Sequence, residues 1–270
     1  MACEMQMLKT IIRHLLKEIG YEIVSASSPQ VAACWPRQLH QSLTSFEDDG
    51  AFHSVYERAQ CATQMTETDN SLRRQRYFIT NQLLRQADLG RGDVCEAGCF
   101  RGLSAHLFAQ HIKQLDQQVT FHIFDSFQGL SELESVDVSE DWDQRYKHLS
   151  DWSADKLRKQ FACSLQTVRE NLEEFDFIHY YEGWIPTRFH EVADKSFSFV
   201  HIDVDLYRPI MESFQFFYPR LIPHGIMVFD DYGSTQFPAA KKAIDECLRK
   251  YNNTFFVSTA SGVAFLIKDF

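Results

Sequence analysis

Residues 197–203 read FSFVHID and residues 226–231 read IMVFDD, and these two segments decide the fold. Each is a short apolar run, typical of a buried strand, that ends at acidic side chains: Asp203 in the first and Asp230 and Asp231 in the second. One helix-length segment separates them, which predicts two parallel neighbouring strands. The three carboxylates would then meet at the carboxyl edge of a sheet, where open α/β sheets bind ligands.

Three aspartates at one sheet edge repel one another, and a bound cation would neutralise that repulsion. A set of oxygen donors suits Mg²⁺ or Ca²⁺. The alternative is that these side chains only cap the helices that follow them. The cluster therefore favours a metal site without excluding a purely structural role.

The composition of this 270-residue chain is that of a globular protein, with 44% hydrophobic residues and 23 phenylalanines. A formal net charge of −10 argues against nucleic acid as the main partner, because no basic patch dominates. No apolar run approaches the roughly 18 residues of a membrane span, and no secretory signal is visible. Seven scattered cysteines without a Cys-x-x-Cys pair predict reduced thiols and a cytoplasmic protein.

Strands and helices alternate from residue 92 onward. This alternation predicts an α/β fold with a doubly wound, mostly parallel seven-stranded sheet and an antiparallel C-terminal hairpin. The predicted strands are 93–97, 119–124, 177–181, 197–202, 226–229, 254–259 and 263–267. The predicted helices include 71–87, 103–115, 151–175, a segment over 210–221, and 238–250.

Residues 1–85 are predicted to be a mainly helical cover, with an amphipathic helix at 4–18, and residues 86–270 the main domain. An insertion is expected at about 131–160, and its residues 131–150 carry six acidic side chains together with aromatic ones. Aromatic side chains among the acidic ones favour a lid that covers a binding site, and a solvated acidic loop is the alternative.

The loop after the first strand, residues 96–102, reads EAGCFRG. Gly98 and Gly102 allow a sharp turn and the close approach of a ligand to the backbone. Their Gly-x-x-x-Gly spacing is not the dinucleotide-binding Gly-x-Gly-x-x-Gly, and no Walker-type lysine follows. Glu96 at the strand end would repel a pyrophosphate. Turn glycines with a structural role are the alternative.

The ends of the second and third strands complete the pattern of a nucleoside site. Asp125 lies where an acid commonly bonds ribose hydroxyls, although it could also be a turn cap. Trp184 could flank an aromatic ring or fill the core. Together these residues indicate a nucleoside without phosphate, and S-adenosylmethionine fits, with its amino acid end near Glu96 and Gly98.

The motifs at 94–102 (VCEAGCFRG), 125–129 (DSFQG), 182–184 (EGW), 203–207 (DVDLY), 218–221 (YPRL) and 230–232 (DDY) carry a resemblance. Residues 92–250 resemble the macrocin O-methyltransferase (TylF/MycF) family of Mg²⁺-dependent sugar O-methyltransferases. Val204 stands where a glycine is expected. The resemblance implies a class I methyltransferase sheet and metal ligation by Asp203, Asp230 and Asp231. The predicted cofactor contacts are Glu96, Gly98, Phe100, Gly102, Ser104, Asp125, Ser126, Gly183, Trp184 and Asp203.

The resemblance also implies that Asp205 is the general base, and an outer role at the metal is the alternative. No lysine closely follows Asp203, which disfavours a catechol-type mechanism. His148, in the insertion, is the second candidate base, whereas His201 is expected to face the core or a helix. Three arginines either close over the cofactor carboxylate or form a solvated helix face: Arg73, Arg74 and Arg76.

The sequence thus predicts an S-adenosylmethionine- and Mg²⁺-dependent O-methyltransferase acting on a sugar hydroxyl. The sugar would belong to a natural-product glycoside, a nucleotide sugar or a surface glycan, and a non-sugar small molecule is the alternative. A nicotinamide oxidoreductase on a similar sheet and a binding protein without catalysis are the rival hypotheses. A homodimer rests on the resemblance only.

Overall fold

The computed structural model describes residues 49–65, 69–115, 118–138, 154–251 and 254–269. The predicted helix at 4–18 and the candidate base His148 lie outside these ranges. The chain divides into two compact units, Met1–Ser54 and Val55–Phe270, and the seven strands described below belong to the second. The predicted boundary at residue 85 stays a prediction.

Two helices precede the sheet: α1 (Gly50–Thr63) and α2 (Ser71–Gln86). The helices that follow are α3 (Leu103–Ile112), α4 (Ala154–Gln160), α5 (Leu165–Asn171), a 3₁₀ turn (Phe189–Val192), α6 (Tyr207–Arg220) and α7 (Pro238–Leu248). The strands are β1 (Asp93–Ala97), β2 (Phe121–Asp125), β3 (Ile178–Glu182), β4 (Phe197–Ile202), β5 (Leu221–Phe229), β6 (Thr254–Ser258) and β7 (Ala264–Lys268).

The seven strands form one sheet in the order β3-β2-β1-β4-β5-β7-β6. Strands β1 to β5 pair in parallel, and β7 is antiparallel to both of its neighbours. This confirms the predicted fold class. The strand order reverses between β1 and β4, and at such a point the loops beyond the carboxyl ends leave a crevice for ligands.

Helical layers cover β4 on both faces, which explains why all six of its residues are buried. Phe199 and His201 meet the ring of Phe108 on α3 at 5.5 and 5.4 Å between centroids. Val200, on the other face, belongs to a buried cluster that includes Phe214 of α6. Because both layers are packed, the end of β4 is a firm support for the residues that follow it.

The single helix predicted over 151–175 is wrong, because the described part of that segment holds two short helices. Ser164 is extended (φ −64°, ψ 147°), and its hydroxyl accepts from the N–H of Thr167, which begins α5. The apolar spacing runs through this break and hides it from a periodicity argument. Strand β5 likewise begins at Leu221 instead of Ile226, and a register shift opposite Phe197 and Phe199 accommodates its Pro223-His224-Gly225 segment.

Within the ranges that the structure describes, no helix has the length and hydropathy to cross a bilayer.

Candidate active site

The loops after β1 and β4 touch at Gly98. Its φ is +84°, and a Cβ placed there would lie only 1.8 Å from the carbonyl oxygen of Asp203. The N–H of Asp203 donates to the carbonyl of Ala97 (2.8 Å), which fixes the two loops to each other. Glycine is required at this position by both conformation and space.

Asp125 organises the loop after β1 from the end of β2. One of its carboxylate oxygens accepts from the N–H groups of Cys99 (2.8 Å) and Phe100 (3.2 Å), and the other accepts from Phe127 N–H (2.7 Å). The backbone carbonyl of Asp125 accepts from the N–H of Gly183 (2.9 Å), which brings the end of β3 alongside. These bonds fix the carboxylate, and the oxygen that accepts from Phe127 keeps a lone pair for a ligand.

A cleft of about 550 Å³ opens over these loops. Its lining includes six of the predicted cofactor contacts: Gly98, Phe100, Asp125, Ser126, Trp184 and Asp203. The structure therefore brings together residues from the ends of β1, β2 and β3 around one cavity.

A second cleft of about 970 Å³ adjoins the first. Both clefts are lined by Gly98, Asp203 and Asp205, whereas Asp230 and Asp231 line the second. We name the two cavities the first cleft and the second cleft. The aspartates that follow β4 thus form part of the boundary between them.

The structure places the predicted metal ligands in two overlapping groups that share Asp203, with Asp231 in one and Asp230 in the other. Asp203, Asp205 and Asp231 each offer an oxygen, and these atoms lie within 4.8 Å of one another. A ring nitrogen of His201 and oxygens of Asp203 and Asp230 form a second group of the same size. Oxygens at such distances are close enough to bind one cation together.

The pKa values of these aspartates show how the crowding affects them. Burial, followed by the charge of Asp231, raises the pKa of Asp203 to about 6. Burial and the charges of Asp231 and Asp203 raise the pKa of Asp205 well above its usual range. Burial also raises the pKa of Asp231, although Arg76 acts in the opposite direction. Without a bound cation, this site favours protonated carboxyl groups.

Two further features of the cluster set it apart from ordinary helix caps. Among the described residues, the buried Oδ2 of Asp231 has no hydrogen-bond partner. Asp205 has a φ of +59°, a left-handed conformation that costs a non-glycine residue roughly 1–3 kcal/mol. An unsatisfied buried oxygen and a strained backbone both indicate a site shaped for a ligand.

The side chain of Arg76, on α2, contacts this cluster. The sequence did not indicate which of the three arginines, Arg73, Arg74 or Arg76, would do so. The Nη2 of Arg76 donates to the backbone carbonyl (2.9 Å) and the carboxylate of Asp230, and it lies 3.6 Å from Asp231 Oδ1. Arg74 instead pairs with Asp69. The available signal was spacing: Thr80 and Leu84 are buried on α2, and Arg76 lies four residues before Thr80.

Other predicted site residues lie further from the open clefts. Glu96 is fully buried, and its Oε1 lies 2.8 Å from Nδ1 of His201. Ser104 is buried on α3, and Gly102, the N-cap immediately before that helix, has a φ of +88°. Their roles at the cofactor stay predictions, as does that of Gly183.

Comparison with known proteins relates the chain to a family of methyltransferases. A family model described as macrocin O-methyltransferase (TylF) matches residues 60–254. Mycinamicin III 3''-O-methyltransferase of Micromonospora griseorubida is 30% identical over 57% of this chain and 59% of its own length. Demethyldecarbamoylnovobiocin O-methyltransferase of Streptomyces niveus is 26% identical over 60% of each chain. The match thus spans about three fifths of these curated relatives.

Solved structures support the fold assignment. The O-methyltransferase NovP superposes with a TM-score of 0.55 at 20% identity, over 72% of this chain and 79% of its own. The calicheamicin methyltransferase CalS11 superposes with a TM-score of 0.57 at 17% identity, over 82% and 93%. At such low identity these structures establish the fold alone. With the match over residues 60–254, the chain belongs to the macrocin O-methyltransferase (TylF) family.

Proposed function

We propose that the protein transfers a methyl group from S-adenosylmethionine to a sugar hydroxyl with the help of a divalent cation. The observation that carries this proposal is the pair of adjoining clefts. Asp125 lines one, Asp230 and Asp231 line the other, and Gly98 and Asp203 line both. A methyl donor in the first cleft would face an acceptor held beside the acidic cluster.

In the first cleft, Asp125 would bond the ribose hydroxyls, since its carboxylate is already oriented by three backbone N–H groups. Trp184 would pack against the adenine ring. The remaining contacts follow the family resemblance through Gly98, Phe100 and Ser126, which line the same cleft.

The residues of the acidic cluster fit a hard divalent cation such as Mg²⁺. Following the family resemblance, Asp203, Asp230 and Asp231 would hold it, and the orphaned Oδ2 of Asp231 supports the part of that residue. When bound, the ion would act as a Lewis acid that lowers the pKa of an acceptor hydroxyl. Its positive charge would also remove the repulsion that keeps protons on these carboxyl groups.

Asp205 would then serve as general base. Oxygens of Asp203, Asp205 and Asp231 lie within 4.8 Å of one another, and burial, followed by the charges of Asp231 and Asp203, raises the pKa of Asp205. A carboxylate with a raised pKa is the better proton acceptor at neutral pH. In the reaction, the acceptor oxygen bonds to the methyl carbon and the carbon–sulfur bond breaks. S-adenosylhomocysteine leaves, and the hydroxyl proton passes to Asp205.

The sugar acceptor rests on the relatives. A further relative, the 8-demethyl-8-(2,3-dimethoxy-alpha-L-rhamnosyl)-tetracenomycin-C 4'-O-methyltransferase of Streptomyces olivaceus, is 24% identical over 65% of each chain, and the compound in its name carries a rhamnosyl group. The second cleft, at about 970 Å³, is the larger of the two. A non-sugar hydroxyl compound remains the alternative acceptor, and a cytoplasmic homodimer stays a prediction.

The direct test is a screen of sugar acceptors with S-adenosylmethionine that carries a trideuterated methyl group, read by mass spectrometry. We expect a product heavier by one labelled methyl and loss of turnover after exhaustive chelation. Asp205→Asn should lower kcat by about 10²- to 10⁴-fold without weakening cofactor binding. Asp194→Asn, at a solvent-exposed ion pair with Lys195, is the matched control. Full turnover in Asp205→Asn would remove this residue from the mechanism.

A further inference from the structure

A buried histidine–glutamate pair lies beneath the acidic cluster. His201 of β4 and Glu96 of β1 are direct neighbours in the parallel register, and Nδ1 and Oε1 lie 2.8 Å apart. The two side chains are 1% and 0% exposed, so water does not share this contact. The ring of Phe108 meets the imidazole edge to face at 5.4 Å and fixes its plane.

This pairing determines which nitrogen of His201 is free to bind. A carboxylate oxygen accepts a hydrogen bond but does not donate one, so Nδ1 carries a hydrogen, and in the neutral imidazole Nε2 keeps its lone pair. Nε2 is buried and has no hydrogen-bond partner within the described ranges. Leaving such an atom unsatisfied costs roughly 1–3 kcal/mol, which a bound ligand would recover.

The surroundings of His201 indicate what that ligand is. One of its ring nitrogens, an oxygen of Asp203 and an oxygen of Asp230 all lie within 4.8 Å of one another. Because Nδ1 is engaged by Glu96, Nε2 is the nitrogen available to this group. A carboxylate that orients a metal-binding histidine is a recurring device, and it raises the basicity of the ligand.

We propose that His201 is a metal ligand together with Asp203 and Asp230, and that Glu96 is its positioning residue. This inference rests on the divalent site of the proposed function and changes its metal preference. Mg²⁺ strongly prefers oxygen ligands, whereas imidazole suits first-row transition metals. The site would therefore bind Mn²⁺ in preference to Mg²⁺.

The test uses the full-length, metal-free protein and Mn²⁺ alone as probe. Pulsed electron paramagnetic resonance of bound Mn²⁺ should show coupling to a directly bonded ¹⁴N nucleus. Calorimetry should give a Kd for Mn²⁺ at least about tenfold below that for Mg²⁺. Stoichiometric Mn²⁺ binding without nitrogen coupling would overturn the inference and leave the proposed function intact. Failure to bind either ion would overturn both.

Two variants and a matched control separate the ligand from a merely structural histidine. His201→Leu removes the nitrogen. Glu96→Gln keeps an acceptor oxygen for the Nδ1 hydrogen but removes the negative charge that raises the basicity of the ring. His201→Leu should abolish the ¹⁴N coupling, and either change should weaken Mn²⁺ binding by about 10- to 100-fold.

His106 provides the control because it is also a buried histidine that faces a glutamate, Glu174, at 3.4 Å. Its Nδ1 is likewise unpartnered within the described part of the chain. His106→Leu should leave Mn²⁺ affinity unchanged, and an equal loss in this control would contradict a ligand role for His201. The wild-type spectrum decides the question should a variant fail to fold.

Discussion

Replacement of Gly98 by alanine probes the contact that joins the two clefts. The added Cβ would lie 1.8 Å from the carbonyl oxygen and 2.8 Å from the carbonyl carbon of Asp203. These are backbone atoms, so no side-chain rotation relieves the overlap. The loop after β4 must move by about 1 Å before the contact reaches the lower limit of real Cβ contacts.

The loss of stability in Gly98→Ala has two parts, and the same substitution at Gly262 measures one of them alone. A left-handed conformation costs alanine about 1–2 kcal/mol, and forced overlap in a packed region adds about 1–3 kcal/mol. Gly262 shares the positive φ (+92°), but its nearest atoms would lie 3.8 Å or more from a Cβ. Gly262→Ala should therefore lose about 1–2 kcal/mol of unfolding free energy, and Gly98→Ala about 2–5 kcal/mol.

Denaturant unfolding of both variants measures the stability difference, and methyl-transfer kinetics measures its consequence. A displacement of about 1 Å at Asp203 should lower kcat/KM by about 10²-fold in Gly98→Ala. Gly262→Ala should retain wild-type kinetics. Equal losses of stability and equal activities in the two variants would refute the reasoning that the β1 and β4 loops meet here.

Three more substitutions test the electrostatics and the first cleft. Because the pKa of Asp203 is raised to about 6, the metal-free wild type should lose roughly 2 kcal/mol of stability relative to Asp203→Asn as the pH rises from 4 to 7. A pH-independent difference in urea unfolding would contradict this. Arg76→Gln removes a positive charge that competes with a cation for Asp230, so calorimetry should find Mg²⁺ bound about fivefold more tightly. Weaker binding would show instead that Arg76 orients the carboxylate of Asp230. Trp184→Ala should raise the Kd for S-adenosylhomocysteine about tenfold without changing metal affinity, and an unchanged Kd would exclude a contact with the cofactor.

The sheet and its acidic edge were predictable because they follow from local patterns. The strands that end at Ile202 and Phe229 are each followed directly by an aspartate. The apolar residues that predict a buried strand and the acidic residue at the sheet edge are therefore consecutive in the sequence. Parallel pairing of such strands brings Asp203, Asp230 and Asp231 to one edge whatever the details of the loops.

The pairings across the fold were not predictable from spacing. Arg76 reaches Asp230 over 154 positions, and His201 meets Glu96 over 105. The interruption at Ser164 was hidden for a different reason: a capping serine and a solvated helical serine look alike until the backbone is seen. The role of His148 as base stays a prediction.

The central claim is that one edge of the sheet holds a methyl donor and a divalent ion together, with Asp203 beside both. A crystal structure with Mn²⁺ and S-adenosylhomocysteine, with an anomalous map at the manganese edge, tests this most directly. We predict a peak about 2.1 Å from an oxygen of Asp203 and from an Asp230 or Asp231 oxygen, with the cofactor ribose on Asp125. A peak elsewhere, or a cofactor bound away from Asp125, would contradict the account.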